Sequence, residues 1–127
     1  MQKNAQVIAI IDCLCSFATI ALRHNYCKPV IHDGDAFTCS SSRHPVIETM
    51  LPPGESYISN DLHLDQTNTQ VIILTGPNMS GKSALLRQSA IIVLMAHMGS
   101  YVPAAKALIP LTDKTVSYTH LTLPTKA

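Results

Sequence analysis

An α/β fold follows from three adjoining stretches of this 127-residue sequence: the apolar run Val71–Leu74, the glycine-bearing loop Gly76–Ser83 and the apolar segment Ala84–Met98. The short run, set off by the polar Thr67-Asn-Thr69, reads as a buried strand, and the long segment reads as a helix stopped by Gly99. Between them Gly76, Gly81, Lys82 and Ser83 satisfy the spacing G-x-x-x-x-G-K-(S/T). Strand, loop and helix in that order are the context that separates a phosphate-binding loop (P-loop, Walker A) from a chance match. Glycines let such a backbone turn tightly and approach an anion, and the amides at the start of the following helix can ring it. Lys82 then supplies a mobile charge for the β- and γ-phosphates, and the Ser83 hydroxyl a ligand for Mg²⁺.

The remaining elements follow in chain order. Residues 3–24 read as one helix built on the long apolar run Val7–Leu22, so Val7-Ile-Ala-Ile-Ile-Asp12 reads as helix and not as a strand closed by a catalytic acid. Strands are expected at about Lys28–His32 and Ala36–Cys39, with Gly34, between Asp33 and Asp35, as the turn of a hairpin. Arg43-His-Pro45 opens a short ordered segment, with His44 fixing a turn or cap and not binding a metal. Leu62 and Leu64 alternate with His63 and Asp65, the pattern of a half-exposed strand. The helix after Ser83 is apolar nearly all round from Ala90 to Met98, which predicts burial between a sheet and neighbouring elements. Arg87 belongs on its exposed side.

Composition narrows the function classes. A net charge of +1, 13% charged residues and 5% aromatics leave no basic patch that could track a nucleic-acid backbone. An apolar share of 46% and a mean hydropathy of +0.19 suit an interior piece of a larger assembly. The apolar N-terminal run Val7–Leu22 carries Asp12, is followed by Arg23, lacks a clean export cleavage site and is read as too short for a membrane span, so no membrane partner is expected. Cys13, Cys15, Cys27 and Cys39 read as free buried thiols suited to a reducing compartment, since i and i+2 on a helix do not converge on a metal.

Several motifs, in order, resemble those of MutS-type DNA mismatch repair proteins. Thr75-Gly-Pro-Asn-Met-Ser-Gly-Lys-Ser83 resembles that family's T-G-P-N-M-(G/S)-G-K-S, which is much narrower than the general loop. Ile11–Ala18, Arg43-His-Pro-Val-Ile-Glu48, Tyr57-Ile-Ser-Asn60, Leu86-Arg-Gln88 and Met95–Ala104 resemble further family motifs, so that the likeness runs over about residues 6–114. The resemblance implies a partial P-loop NTPase domain of the ABC ATPase-like kind, preceded by a helix from the family's lever arm. It divides the chain into 1–25, the end of the lever; 26–114, the N-terminal half of the ATPase domain with its loop at 76–83; and 115–127, a suspected non-native tail resembling translated sequencing adapter. A transporter-type ATPase is disfavoured, because its loop is not expected to carry Pro-Asn-Met after the first glycine.

By the same resemblance the cofactors are ATP or ADP and Mg²⁺, held by Gly76, Pro77, Asn78, Met79, Ser80, Gly81, Lys82, Ser83 and Ala84, with Lys82 as the catalytic residue and Ser83 on the metal. Tyr57 takes the position of the aromatic that stacks on adenine, the alternative being ordinary packing. Asn78 bonds phosphate or serves as a turn residue. Implied partners are mismatched double-stranded DNA, met through domains outside this chain, a second MutS-type subunit and a MutL-type protein. The implied location is the bacterial cytoplasm and nucleoid, or the nucleus of a eukaryote. The implied function is to recognise mispaired DNA and use ATP to switch to a sliding clamp. A MutS-like protein of recombination or crossover control is the alternative, and a non-catalytic fragment a further one.

No apolar strand ending in Asp-Glu follows residue 83, and no partner-facing signature loop does either. The 127-residue chain alone is therefore expected to hydrolyse ATP negligibly: steady-state phosphate release at saturating Mg-ATP should equal that of a Lys82→Ala control, and clear Lys82-dependent turnover would contradict this.

Overall fold

Residues 2–77 and 81–116 are described by a computed structural model, with elements in the order α1 (Gln2–His24), β1 (Val30–His32), β2 (Phe37–Ser42), α2 (Pro45–Met50), β3 (Asn60–Leu64), α3 (Lys82–His97) and β4 (Lys106–Pro110). The mixed α/β class is as expected. The four strands make one sheet in the order β1-β4-β2-β3. β4 runs parallel to β1 (Val30 opposite Leu108) and antiparallel to β2 (Cys39 opposite Ala107), and β3 is antiparallel to β2 on its other side.

Helix α3 lies on this sheet by a stripe at i+4 spacing, Gln88, Ile92 and Ala96, all buried. Ile92 and Ala96 meet Phe37, Cys39, Leu62, Val102, Ala104, Ala107 and Ile109 in the core. Burial pushes the Cys39 thiol up to about 12, and it behaves there as a small apolar side chain. Gly99 ends α3 as expected: at φ +84 it lets Ser100 N–H bond Met95 C=O at 3.0 Å while its own N–H bonds Ala96 C=O at 3.1 Å. Asn25, at φ +53, ends α1 by the same device, with Tyr26 N–H bonding Ala21 C=O at 3.0 Å.

The motif Arg43–Glu48 resolves into separate physical roles. Arg43 Nε donates to Glu48 Oε2 at 2.6 Å, and its Nη2 donates to the His24 carbonyl at 2.8 Å, tying the end of α1 to α2. His44 Nδ1 accepts from the N–H groups of Val46 and Ile47, each at 3.3 Å, so His44 is the cap that the sequence expects, with Pro45 in the first turn. Farther on, Asp65 Oδ1 accepts from the amides of Thr67, Asn68 and Thr69, making the expected polar turn. Those bonds, Thr69's foremost, hold its carboxyl well below the usual carboxylate range.

Five expectations are corrected. β1 and β2 are not a hairpin, because β4 is inserted between them; the turn at Asp33–Asp35 spans two strand spacings, and β4 earns the central place by burying Ala107 and Ile109. β4 itself is an element that the sequence reading does not assign. Val71–Leu74 forms no strand: no described strand lies beside it, and Val71 and Ile73 are 76% and 82% exposed. A parallel-sheet strand is buried only where neighbours cover it. Leu94 and Met98 are exposed, so α3 packs by one stripe and not all round, and Cys13 and Cys15 lie exposed on α1, of which only Ala21 is buried. Lastly, α1 at 23 residues is longer than the run read as too short, and it is long and apolar enough by length and composition to cross a membrane, a test that a soluble helix or a signal sequence also passes. The sequence reading of the shorter run Val7–Leu22 underestimates this.

Burial lowers the pKa of His44, with Arg87 adding to the effect and Glu48 opposing it. A neutral ring is thus favoured in the folded state, so stability is full above the ordinary value of 6.5 and falls as pH drops below it toward the lowered folded value. Replacing His44→Asn keeps a cap acceptor without a titrating group. Denaturant unfolding at pH 7.5 and pH 5 is expected to show a smaller acid loss in His44→Asn than in the parent chain; equal losses would remove His44 as the cause.

Candidate functional site

A cleft of about 530 Å³ opens where the N-terminus of α3 faces the segment before β3. Gly81, Lys82 and Leu85 line it from the start of α3, Ser56, Tyr57, Ile58 and Asn60 from the segment leading into β3, and Leu74, Thr75, Ile47 and Leu51 complete its wall. The structure therefore brings Tyr57 to the adjacent pair Gly81 and Lys82, from which it is distant in the sequence. Gly76 and Pro77 lie on the approach to the loop, and Ser83 and Ala84 are in the first turn of α3, Ser83 exposed and Ala84 half-buried. Asn78, Met79 and Ser80 lie outside the described residues.

The start of α3 breaks three helix rules at once. Gly81, the cap residue, sits at φ +85 and ψ 4, where a residue with a Cβ is strained, and it offers no side-chain acceptor. No acidic residue occupies the first turn, and Lys82, a cation, stands at the positive end of the helix dipole. α2 shows the contrast, with its His44 cap and Glu48 in the first turn. Each departure costs stability in an isolated helix, and each favours an anion at the same place. The Lys82 ammonium donates to the carbonyl of Gly76, so the lysine reaches across to the first glycine of the loop.

Tyr57, half-buried, also lines the cleft. Its hydroxyl donates to Gln88 Oε1 at 2.9 Å, Gln88 Nε2 donates to Ser42 Oγ at 2.7 Å, and Ser42 Oγ donates to the Asn60 carbonyl at 2.7 Å. Gln88 and Ser42 are both 0% exposed. Because the only hydroxyl hydrogen of Ser42 goes to Asn60, Ser42 can only accept from Gln88, which sets the orientation of the amide and leaves its oxygen for Tyr57. Burial, and after it the charge of Glu48, raise the Tyr57 pKa, so the phenol stays a donor at neutral pH. A bulge in β2 aims Ser42 inward: the register shifts between Cys39 and Ser42, and Ser41, at φ +49, gives its N–H to Asp61 Oδ1 at 2.7 Å.

The sequence reading assigns no role to Gln88 or Ser42. For Gln88 a signal exists, an amide in register with Ile92 and Ala96 on a buried stripe; Ser42 carries none, since its burial comes from a bulge. A larger cavity, about 710 Å³, lies at the other end of the sheet against Asp33, Asp35, Gln66 and Asp113. Three carboxylates make it a poor place for an anion, and among the described residues Lys114 is the one cation on its wall.

Residues 72–121 match the family profile described as MutS domain V, a stretch that runs seven residues past Lys114. Over 112 residues, 88% of the chain, the sequence is 59% identical to the DNA mismatch repair protein MutS of Cytophaga hutchinsonii, and it is 60% identical over 114 residues to that of Christiangramia forsetii. Identity to the MutS protein of Clostridium botulinum is 53% over 114 residues. The chain belongs to the MutS family of DNA mismatch repair proteins. It spans 13% of the length of the first two relatives and 12% of the third.

Proposed function

We propose that the cleft binds Mg-ATP as part of a mismatch-repair ATPase. The observation that carries this reading is the start of α3, where a glycine cap at positive φ, a leading lysine and the lack of any first-turn acid together favour a polyanion. Phosphate binding falls to Gly76, Pro77, Asn78, Met79, Ser80 and Gly81, together with the amides of Lys82, Ser83 and Ala84 at the start of α3. Lys82 exchanges the Gly76 carbonyl for the β- and γ-phosphates, and Tyr57 offers a flat apolar face to adenine. The exposed Ser83 hydroxyl fits one position on Mg²⁺, an ion that prefers oxygen ligands and substrate phosphates. When bound, that ion neutralises charge developing on the phosphates.

In the whole protein the family suggests phosphoryl transfer to water, completed by residues outside this chain and coupled to mismatched DNA, with the switch to a sliding clamp as output. A second MutS-type subunit and a MutL-type protein are the proposed protein partners, α1 the end of the lever arm, and the bacterial cytoplasm the proposed location. Relatives named as mismatch repair proteins favour repair over recombination control.

Two substitutions test the reading in the whole protein. A hydrogen bond to a charged group is worth about 1.5–3 kcal/mol, so Lys82→Ala should weaken ATP binding roughly 10- to 100-fold. Base stacking on an aromatic is worth about 1–3 kcal/mol, so Tyr57→Ala should weaken it about tenfold. Equilibrium binding of a fluorescent ATP analogue measures both, and unchanged affinity in either variant would refute the corresponding assignment.

A further inference from the structure

We propose that Gln88 is a positioning residue for the base of the nucleotide: from inside the core it holds the Tyr57 ring in the cleft wall, so that α3 helps to set the span between the phosphate end and the base end. This rests on the proposed nucleotide reading of the cleft. Lys82 and Gln88 are six residues apart on one helix, about 9 Å along its axis. Lys82 lines the cleft directly, whereas Gln88, fully buried, reaches it only through the Tyr57 hydroxyl. Ser42 prevents the amide from turning round, because its hydrogen is committed to the Asn60 carbonyl. Asn60 is also on the cleft wall, so the segment 57–60 is pinned at both ends, to α3 by Tyr57 and to β2 by Asn60.

An amide that served only to stabilise the fold would affect every ligand of the cleft alike. A positioning role affects the ligand that has a base. The test compares ATP with inorganic tripolyphosphate, which carries three phosphates and no base, in the whole protein. Gln88→Met keeps an unbranched side chain of similar reach and removes both polar ends of the amide. It is expected to weaken ATP binding about threefold to tenfold while tripolyphosphate affinity stays within about twofold, since the loss falls on one oriented contact.

Tyr57→Phe breaks the same bond from the cleft side without touching the core, and serves if Gln88→Met does not fold. It should give the same ATP-selective loss, milder than Tyr57→Ala, and add nothing in the Gln88→Met background. Parallel weakening of both ligands, or additive losses in the double variant, would overturn the proposal. If Tyr57→Ala weakens ATP binding while Tyr57→Phe and Gln88→Met do not, the positioning role fails and the nucleotide reading stands. If Tyr57→Ala has no effect either, the base-side reading itself fails.

Discussion

One buried side-chain amide organises the cleft end of this chain. An unpaired amide in a protein interior costs roughly 1–3 kcal/mol, which makes Gln88 a costly residue to place on the buried stripe of α3, one turn before Ile92, unless both of its ends are bonded. Both are, and the partners come from different elements: Ser42 from the bulged end of β2, Tyr57 from the segment before β3. The bond to Ser42 ties α3 to the sheet at a point where the apolar stripe of Ile92 and Ala96 alone would allow sliding. The bond to Tyr57 closes the side of the cleft. Core and site thus share a single group, and the core cannot shift at that point without moving the cleft wall.

Stability is distributed unevenly along α3. Its C-terminal end has the full set of helix-stopping bonds around Gly99, whereas its N-terminal end has an unfavourable charge and no side-chain cap. The weak end faces the cleft and the strong end faces away. α2 is capped by His44, held by the Arg43–Glu48 ion pair and attached through Arg43 to the end of α1, so the part of the wall formed by Ile47 and Leu51 is anchored. A rigid wall facing a receptive helix start suits a ligand that supplies negative charge at one end and an apolar face at the other.

What could be read from the sequence was local. The extent of α3, its stop at Gly99, the alternation of Leu62 and Leu64 and the cap at His44 all depend on neighbours within a turn or two, and they stand as expected. The failures are non-local. β4 lies between β1 and β2 although some seventy residues separate them from it, and nothing in Val30–His32 or Phe37–Ser42 announces that pairing. Val71–Leu74 has the composition of a buried strand, but burial depends on flanking strands and no described strand flanks it. Cys13 and Cys15 are exposed for the same reason, since a helix face is buried only when something packs on it. Of the cleft, the side at Gly81 and Lys82 was marked in the sequence by a contiguous motif. Tyr57 was singled out only by resemblance, and the relay behind it joins residues 18 to 46 positions apart.

The central claim is that a nucleotide lies between Tyr57 and the start of α3. Photolabelling the whole protein with an azido-adenine analogue of ATP, followed by peptide mapping, tests it most directly, because the label marks the residues that touch the base. The account predicts label on the segment Ser56–Asn60, competed away by ATP. Competable label confined to the cavity around Asp33, Asp35 and Asp113 would contradict it.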